Sequence, residues 1–237
     1  MNKNKAFLVI GGMGPEASGY MYNMLIRLAI EAFGANNNDD FPEVILHSIP
    51  VPDFISNNKN RKKALEMLKQ RVVLVKDCNV SCISIACNTA HILLPALQAV
   101  SKVPFVSMIE EVVKKVEIDG KKIVGLMGTP STIQYGLYQT ALSKYGISVL
   151  VPSRRQLTVL EKIIRNVLAG KILERDTKKL KEIGDSFIAK GSEAIILGCT
   201  ELPLVFPRRY SLPVYNCVEI LAMALLQKYY ANKKIIP

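Results

Sequence analysis

Tryptophan is absent from the 237 residues, and only 2 are histidine. With aromatics at 7%, no stretch interleaves basic and aromatic side chains as a base-stacking surface requires. No apolar run approaches the ~18–20 residues of a membrane span. Glycine (14) and proline (12) are too sparse for a collagen-like or low-complexity chain. Five cysteines make an odd and small set, so a disulfide framework is not expected. The segment Cys78-x3-Cys82-x4-Cys87 looks like a metal cluster only superficially, because a strand between Cys82 and Cys87 splays them and no Cys/His pair of zinc spacing follows. Residues 1–5 lead into the brief apolar run 6–10 and then Gly11-Gly12, too short for a signal h-region, so a cytoplasmic protein is expected. Acidic residues are also short, 20 against 31 Lys+Arg, giving +11. About half the excess lies between Arg154 and Lys190, where amphipathic helix with solvated charged faces explains it. Neither nucleic acid nor membrane is expected as a partner.

What remains is a strongly periodic chain, 49% hydrophobic. Short apolar runs predict strands at 6–10, 44–48, 82–86, 105–107, 123–127, 148–151, 194–197 and 214–215. Between them the 3.6-residue period predicts helices at 16–33, 62–77, 131–144, 157–168, 178–190 and 218–230, among others. Strand alternating with helix means βαβ units and parallel sheets buried on both faces. The fold class is α/β.

The two halves resemble each other. Leu8-Val9-Ile10-Gly11-Gly12-Met13-Gly14-Pro15 is answered by Gly125-Leu126-Met127-Gly128-Thr129-Pro130. Ile83-Ser84-Ile85-Ala86-Cys87-Asn88-Thr89 is answered by Ile195-Ile196-Leu197-Gly198-Cys199-Thr200, and Val103-Pro104 by Leu212-Pro213. Three landmarks in one order and register predict a duplicated unit. We expect two similar α/β domains with parallel four-stranded sheets, related by a pseudo-twofold axis and sharing a cleft. The expected boundaries are 1–104 plus 211–237, the C-terminal helix returning to the first domain, and 105–210.

Cys87 and Cys199 each follow a buried strand and precede a polar, helix-starting sequence. At such a turn unpaired N–H groups and the positive helix end favour thiolate, and the same donors suit a carboxylate ligand. Buried cysteine filling a small gap is the plainer alternative for either residue alone. Two thiols facing one ligand from opposite sides, however, have a chemistry: one as thiolate removes a proton from carbon while the other, as thiol, returns one to the opposite face. That is stereoinversion without a cofactor. Among neighbours, His91 lies one helical turn after Cys87 and is a candidate for tuning it or for a satisfied structural histidine. Asp53 and Glu201 are candidates for orienting an amine or polarising a thiol, or else for turn and helix-start carboxylates.

The motifs Gly11-Gly12-Met13-Gly14-Pro15-Glu16-Ala17-Ser18, Ala86-Cys87-Asn88-Thr89-Ala90-His91 and Leu197-Gly198-Cys199-Thr200-Glu201-Leu202 resemble the aspartate/glutamate racemase family, nearest its aspartate racemase branch. The resemblance runs over nearly the whole chain. It implies a pyridoxal-phosphate-independent amino-acid racemase with no cofactor, commonly a homodimer, with one catalytic cysteine from each domain: Cys87 and Cys199. It implies that Met13, Asn88, Thr89, Thr132 and Thr200 line the substrate site and hold the amino and α-carboxylate groups. Aspartate racemisation is the activity it points to first.

Two departures bear on the substrate. After Pro52-Asp53 the family's aspartate enzymes can carry an Arg that grips the side-chain carboxylate, and this chain has Phe54. A Lys before Ala-Gly can share that task, and this chain has Leu168 before Ala169-Gly170. Losing both removes charge-assisted bonds of roughly 1.5–3 kcal/mol each. The alternatives are therefore a racemase of neutral or larger amino acids, or a non-catalytic ligand-binding relative that keeps the cleft. Gly11-Gly12-Met13-Gly14 lacks the third-glycine spacing of a dinucleotide loop and reads better as a tight turn.

Overall fold

The structure, a computed structural model, describes residues 6–53, 55–56, 59–75 and 78–231. In the first half, β1 (Ala6–Gly11), α1 (Pro15–Phe33), β2 (Val44–Ser48), α2 (Arg61–Leu74), β3 (Val80–Ile85), α3 (Leu94–Gln98) and β4 (Phe105–Val106) follow in order. A 3-10 turn, Thr89–Leu93, separates β3 from α3. The second half runs α4 (Met108–Ile118), β5 (Ile123–Gly128), α5 (Pro130–Gln134), α6 (Leu137–Ser143), β6 (Ser148–Leu150), α7 (Arg154–Leu168), α8 (Glu174–Ile188), β7 (Ala194–Gly198), β8 (Val214–Asn216) and α9 (Cys217–Tyr230).

All pairings are parallel, and the strand orders are β2-β1-β3-β4 and β6-β5-β7-β8. The same order in both halves is the duplication seen in the motifs. The sheet limits fall slightly later than the expected domain limits. β4 begins at residue 105 yet completes the first sheet, and β8 lies beyond 211 yet completes the second.

Strand alternation sends side chains to two different cores. Phe7 and Val9 of β1 join a cluster shared by both halves, with Leu25 of α1, Val112 of α4, Leu126 of β5, Ile196 of β7 and Leu225 of α9. Leu8 and Ile10 face the opposite way, toward Leu68 of α2 and Ile83 and Ile85 of β3. Met127, Leu197, Leu160, Ile164, Leu180 and Phe187 form the counterpart core under α7 and α8. Each such side chain, fully buried, contributes roughly 1.5–3 kcal/mol. α9 packs on α1 and α4, so the shared cluster welds the halves through the C-terminal helix.

The stretch expected as one helix at 131–144 is two. Gly136 adopts φ 63° in the left-handed region and breaks it, separating α5 from α6. α4 is started by the Ser107 hydroxyl, which accepts from the Glu110 N–H, and α7 by a full capping box of Ser153 and Gln156. Among the described residues no helix is long and apolar enough to cross a membrane.

Candidate active site

In each sheet the first strand of the half lies between its second and third. The crossovers leave it on opposite sides, and a crevice opens at the carboxyl ends of β1 and β3, and of β5 and β7. The turn Gly12–Pro15 leaves β1, Cys87 follows β3, Thr129 and Thr132 follow β5, and Cys199 follows β7. The chemistry-bearing residues of both halves thus issue from these four strand ends. Gly12 has φ 88°, and a Cβ there would collide with the Ile49 backbone. A Cβ on Gly14 would strike Leu168 and approach Glu201 Oε1, so that glycine lets the second half close against the first.

A cavity of about 220 Å³ lies here. That is small beside the ~300–1,000 Å³ of drug-sized sites and suits a small metabolite. Of the expected site residues, Met13, Asp53, Cys87, Thr89 and Leu168 line it. Arg165 lines it too, one helical turn before Leu168. The sequence reading missed Arg165, although its three-residue spacing from Leu168 on a helix was the available signal. Phe54 lies outside the described residues.

Glu201 ties the two halves at the buried end. Its Oε1 accepts from the Gly14 N–H at 3.1 Å, and its Oε2 accepts from Cys199 Sγ and Thr200 Oγ1, both at 3.0 Å. This carboxylate is 3% exposed. Of the roles open to it, polarising a thiol is the one the geometry supports. Asp53 does not reach a thiol: Oδ2 accepts two bonds from Arg165, each 3.1 Å, and Oδ1 caps the Ile55 N–H at 2.9 Å.

The expected thiolate is corrected. Burial pushes the Cys87 thiol up to about 12, and the Glu201 carboxylate adds to the rise against the opposing pull of the Ala90 and Thr89 N–H groups. Cys199 is raised well above the usual thiol range, by burial first and then by Glu201, through its charge and the hydrogen bond it accepts. The local helix-start donors are present, but desolvation outweighs them. Both cysteines are protonated thiols at neutral pH.

The polar residues form two groups. Thr89 Oγ1 lies 2.9 Å from Thr129 Oγ1 and 3.1 Å from Thr132 Oγ1, a buried trio of hydroxyls joining the halves. Asn88 is turned to other work: Oδ1 accepts from Tyr138 Oη at 2.6 Å, and Nδ2 donates to Cys217 Sγ at 3.2 Å. Of these, only Thr89 also lines the cavity.

His91 acts on the Cys87 backbone. The Met108 N–H donates to Nε2 at 3.0 Å, which leaves the proton on Nδ1 to donate to the Cys87 carbonyl at 2.9 Å. Burial lowers the ring to about 4, so it is neutral and positions the turn without titrating near pH 7. The unfolded ring titrates near ~6.5. Its contribution to stability is full above that value and is lost as pH falls toward 4, a loss of about 3 kcal/mol. In urea unfolding at pH 7 and pH 4.5, His91→Asn is expected to be less stable at pH 7 yet to lose less on acidification than the unaltered chain. Equal losses would contradict the buried neutral ring.

A family model described as Asp/Glu/Hydantoin racemase matches residues 10–225. The chain is 26% identical over 224 residues to the broad specificity amino-acid racemase RacX of Bacillus subtilis (strain 168), covering 94% of this chain and 97% of that one. It also matches the solved structure of Picrophilus torridus aspartate racemase at TM-score 0.83 and 26% identity, over 95% of this chain and 94% of that one. An aspartate racemase homologue from Pyrococcus horikoshii OT3 matches at TM-score 0.79 and 29% identity, over 95% and 99%. The chain belongs to the Asp/Glu/hydantoin racemase family. It is an isomerase of the amino-acid racemase class.

Proposed function

We propose that the protein inverts the α-carbon of a free amino acid by a two-base mechanism, without pyridoxal phosphate or metal, with Cys87 and Cys199 as the two acid–base groups. One observation carries this reading. The two thiols follow equivalent strands, β3 and β7, in two sheets of identical order, and both feel the buried Glu201 carboxylate. In this reading a substrate presents one face of its Cα to each sulfur: Cys87 lines the cavity, and Cys199 is linked to the cavity wall through Glu201, which also holds the Gly14 N–H.

The raised thiols fit such a cycle. A thiolate of high pKa is a strong base toward a Cα–H bond but is rarely formed in the empty site. A bound amino acid brings its own ammonium group, and a cation close to a sulfur favours the thiolate. The proton leaving that sulfur has an acceptor at hand in Glu201 on the Cys199 side. The thiolate then takes the α-proton, the opposite thiol delivers its own to the other face, and reversing the roles carries the second enantiomer back. Thr89 and the Met13 turn, which line the cavity, are assigned to the α-carboxylate and amino groups on the strength of the family resemblance, whereas Asn88, Thr132 and Thr200 are engaged with Tyr138 and Cys217, with Thr129, and with Glu201.

Aspartate remains a substrate to expect. Neutral or larger side chains are favoured by Leu168 in the cavity wall and by the broad specificity stated for the Bacillus relative. Both enantiomers of aspartate, asparagine, methionine and lysine, incubated separately and resolved by chiral chromatography, test the reading. At least one pair is expected to reach the same near-equal mixture from either side, after exhaustive treatment with chelator. Failure of every pair to interconvert would contradict it.

A further inference from the structure

Arg165 is the one cation among the described residues that line the cavity, and so the group there that a carboxylate on a substrate side chain would pair with. It is already engaged. Nη1 and Nη2 both donate to Asp53 Oδ2 at 3.1 Å, Nη2 also donates to Ser56 Oγ at 2.7 Å, and Nε donates to Glu161 Oε1 at 3.0 Å. Four of the five guanidinium N–H groups are thereby used. Ser56 Oγ donates to the same Glu161 oxygen, closing the ring of contacts. Asp53 and Ser56 come from the loop after β2, Arg165 and Glu161 from α7, so the cluster joins the two halves at the cavity wall that Asp53 and Arg165 share.

One guanidinium against two carboxylates leaves the cluster a net anion. We propose that the Asp53–Arg165 pair is a specificity determinant that occupies the cavity's cation and biases the enzyme against substrates with an acidic side chain. Asp53 takes the place on Arg165 that a substrate carboxylate would need, and its charge repels that carboxylate. An uncharged side chain of the same shape suffers neither effect. The inference rests on the racemase reading above and assigns its substrate preference.

Aspartate and asparagine differ at the side chain by one charge and almost nothing in shape. The test therefore measures kcat/KM for racemisation of both and takes the ratio, aspartate over asparagine, in the unaltered chain and three variants. Asp53→Asn removes the competing charge and is expected to raise the ratio about tenfold or more. Arg165→Met removes the one lining cation among the described residues and is expected to lower it below the unaltered value. Glu161→Gln, whose carboxylate does not line the cavity, is expected to raise it less than Asp53→Asn. The pair is about half exposed, the Arg165 side chain 45% and the Asp53 side chain 48% accessible, so each variant is expected to fold, checked by a Tm within about 2 °C of the unaltered chain. A ratio within twofold of the original for Asp53→Asn, or a higher ratio for Arg165→Met, overturns the inference and leaves the racemase reading standing. Absence of racemisation of every amino acid by the unaltered chain would instead overturn that reading.

Discussion

Cys87→Ser and Cys199→Ser, made separately, are each expected to reduce kcat for racemisation by at least a hundredfold to ten-thousandfold, the range that one positioned acid–base group contributes. A serine hydroxyl keeps the size and the hydrogen-bonding capacity of the thiol but is far too weak an acid to supply a base near neutral pH. Cys199→Ser still offers a donor to Glu201 Oε2, so fold stability is expected to change little while turnover collapses. Neither thiol is predicted to rescue the other, because each addresses one face of Cα. The check is the time course of optical rotation with a substrate found active in the amino-acid panel. Retention of a tenth or more of the activity by either variant would remove that cysteine from the mechanism.

Glu201→Gln is expected to act on both thiols at once. The carboxylate charge raises Cys87 and Cys199 alike, so its removal lowers both and increases the thiolate fraction at a given pH. Since alkylation proceeds through thiolate, iodoacetamide is expected to modify Cys87, the thiol lining the cavity, about tenfold faster at pH 8 in the variant. In the unaltered chain the alkylation rate is expected to keep rising with pH beyond 9, with no plateau in the usual thiol range, because the Cys87 thiol sits at about 12. The amide has a single acceptor oxygen for three donors, those of Gly14, Cys199 and Thr200, and leaves at least one poorly met. A stability loss of roughly 1–3 kcal/mol accompanies the change. Mass-spectrometric timing of the modified Cys87 peptide reads the rate directly. No acceleration, or a slower reaction, would show that the Glu201 charge does not add to the burial that keeps these thiols protonated.

The α/β class and most strands are legible in the sequence because strands buried on both faces are short apolar runs bounded by turns. β2 lies where expected, at Val44–Ser48, and β1, β5 and β7 differ from expectation by a single residue at their ends. The duplication was legible for a related reason. Turns that must carry glycine or cysteine at a strand end leave the same residues at the same place in both halves. The broken helix at Gly136 was not, since apolar periodicity runs on across a glycine whether or not the chain bends there.

The site was legible where it is local and opaque where it is long-range. Cys87, Thr89, Met13 and Leu168 meet at one cavity because each sits at a strand end or helix end that the motifs mark. The contact of Glu201 with Gly14, 187 residues apart, carries no local sign, and neither does the Asp53–Arg165 bond across 112 residues. The thiol titration was misjudged for the same reason. The helix-start donors beside Cys87 are written in its neighbours, but the burial that overrides them comes from residues far along the chain, Leu8, Ile10 and Leu68 among them.

The central claim is that two different groups serve the two faces of Cα, and racemisation in deuterium oxide tests it most directly. One enantiomer of an active substrate is incubated with the unaltered enzyme, and the reaction is stopped at low conversion. Both enantiomers are then isolated and weighed for deuterium at Cα. The account predicts that the newly formed enantiomer carries deuterium delivered by the far thiol, while the recovered starting enantiomer keeps its protium. Equal deuterium in both, or protium carried into the product, would mean that a single base works both faces and would contradict it.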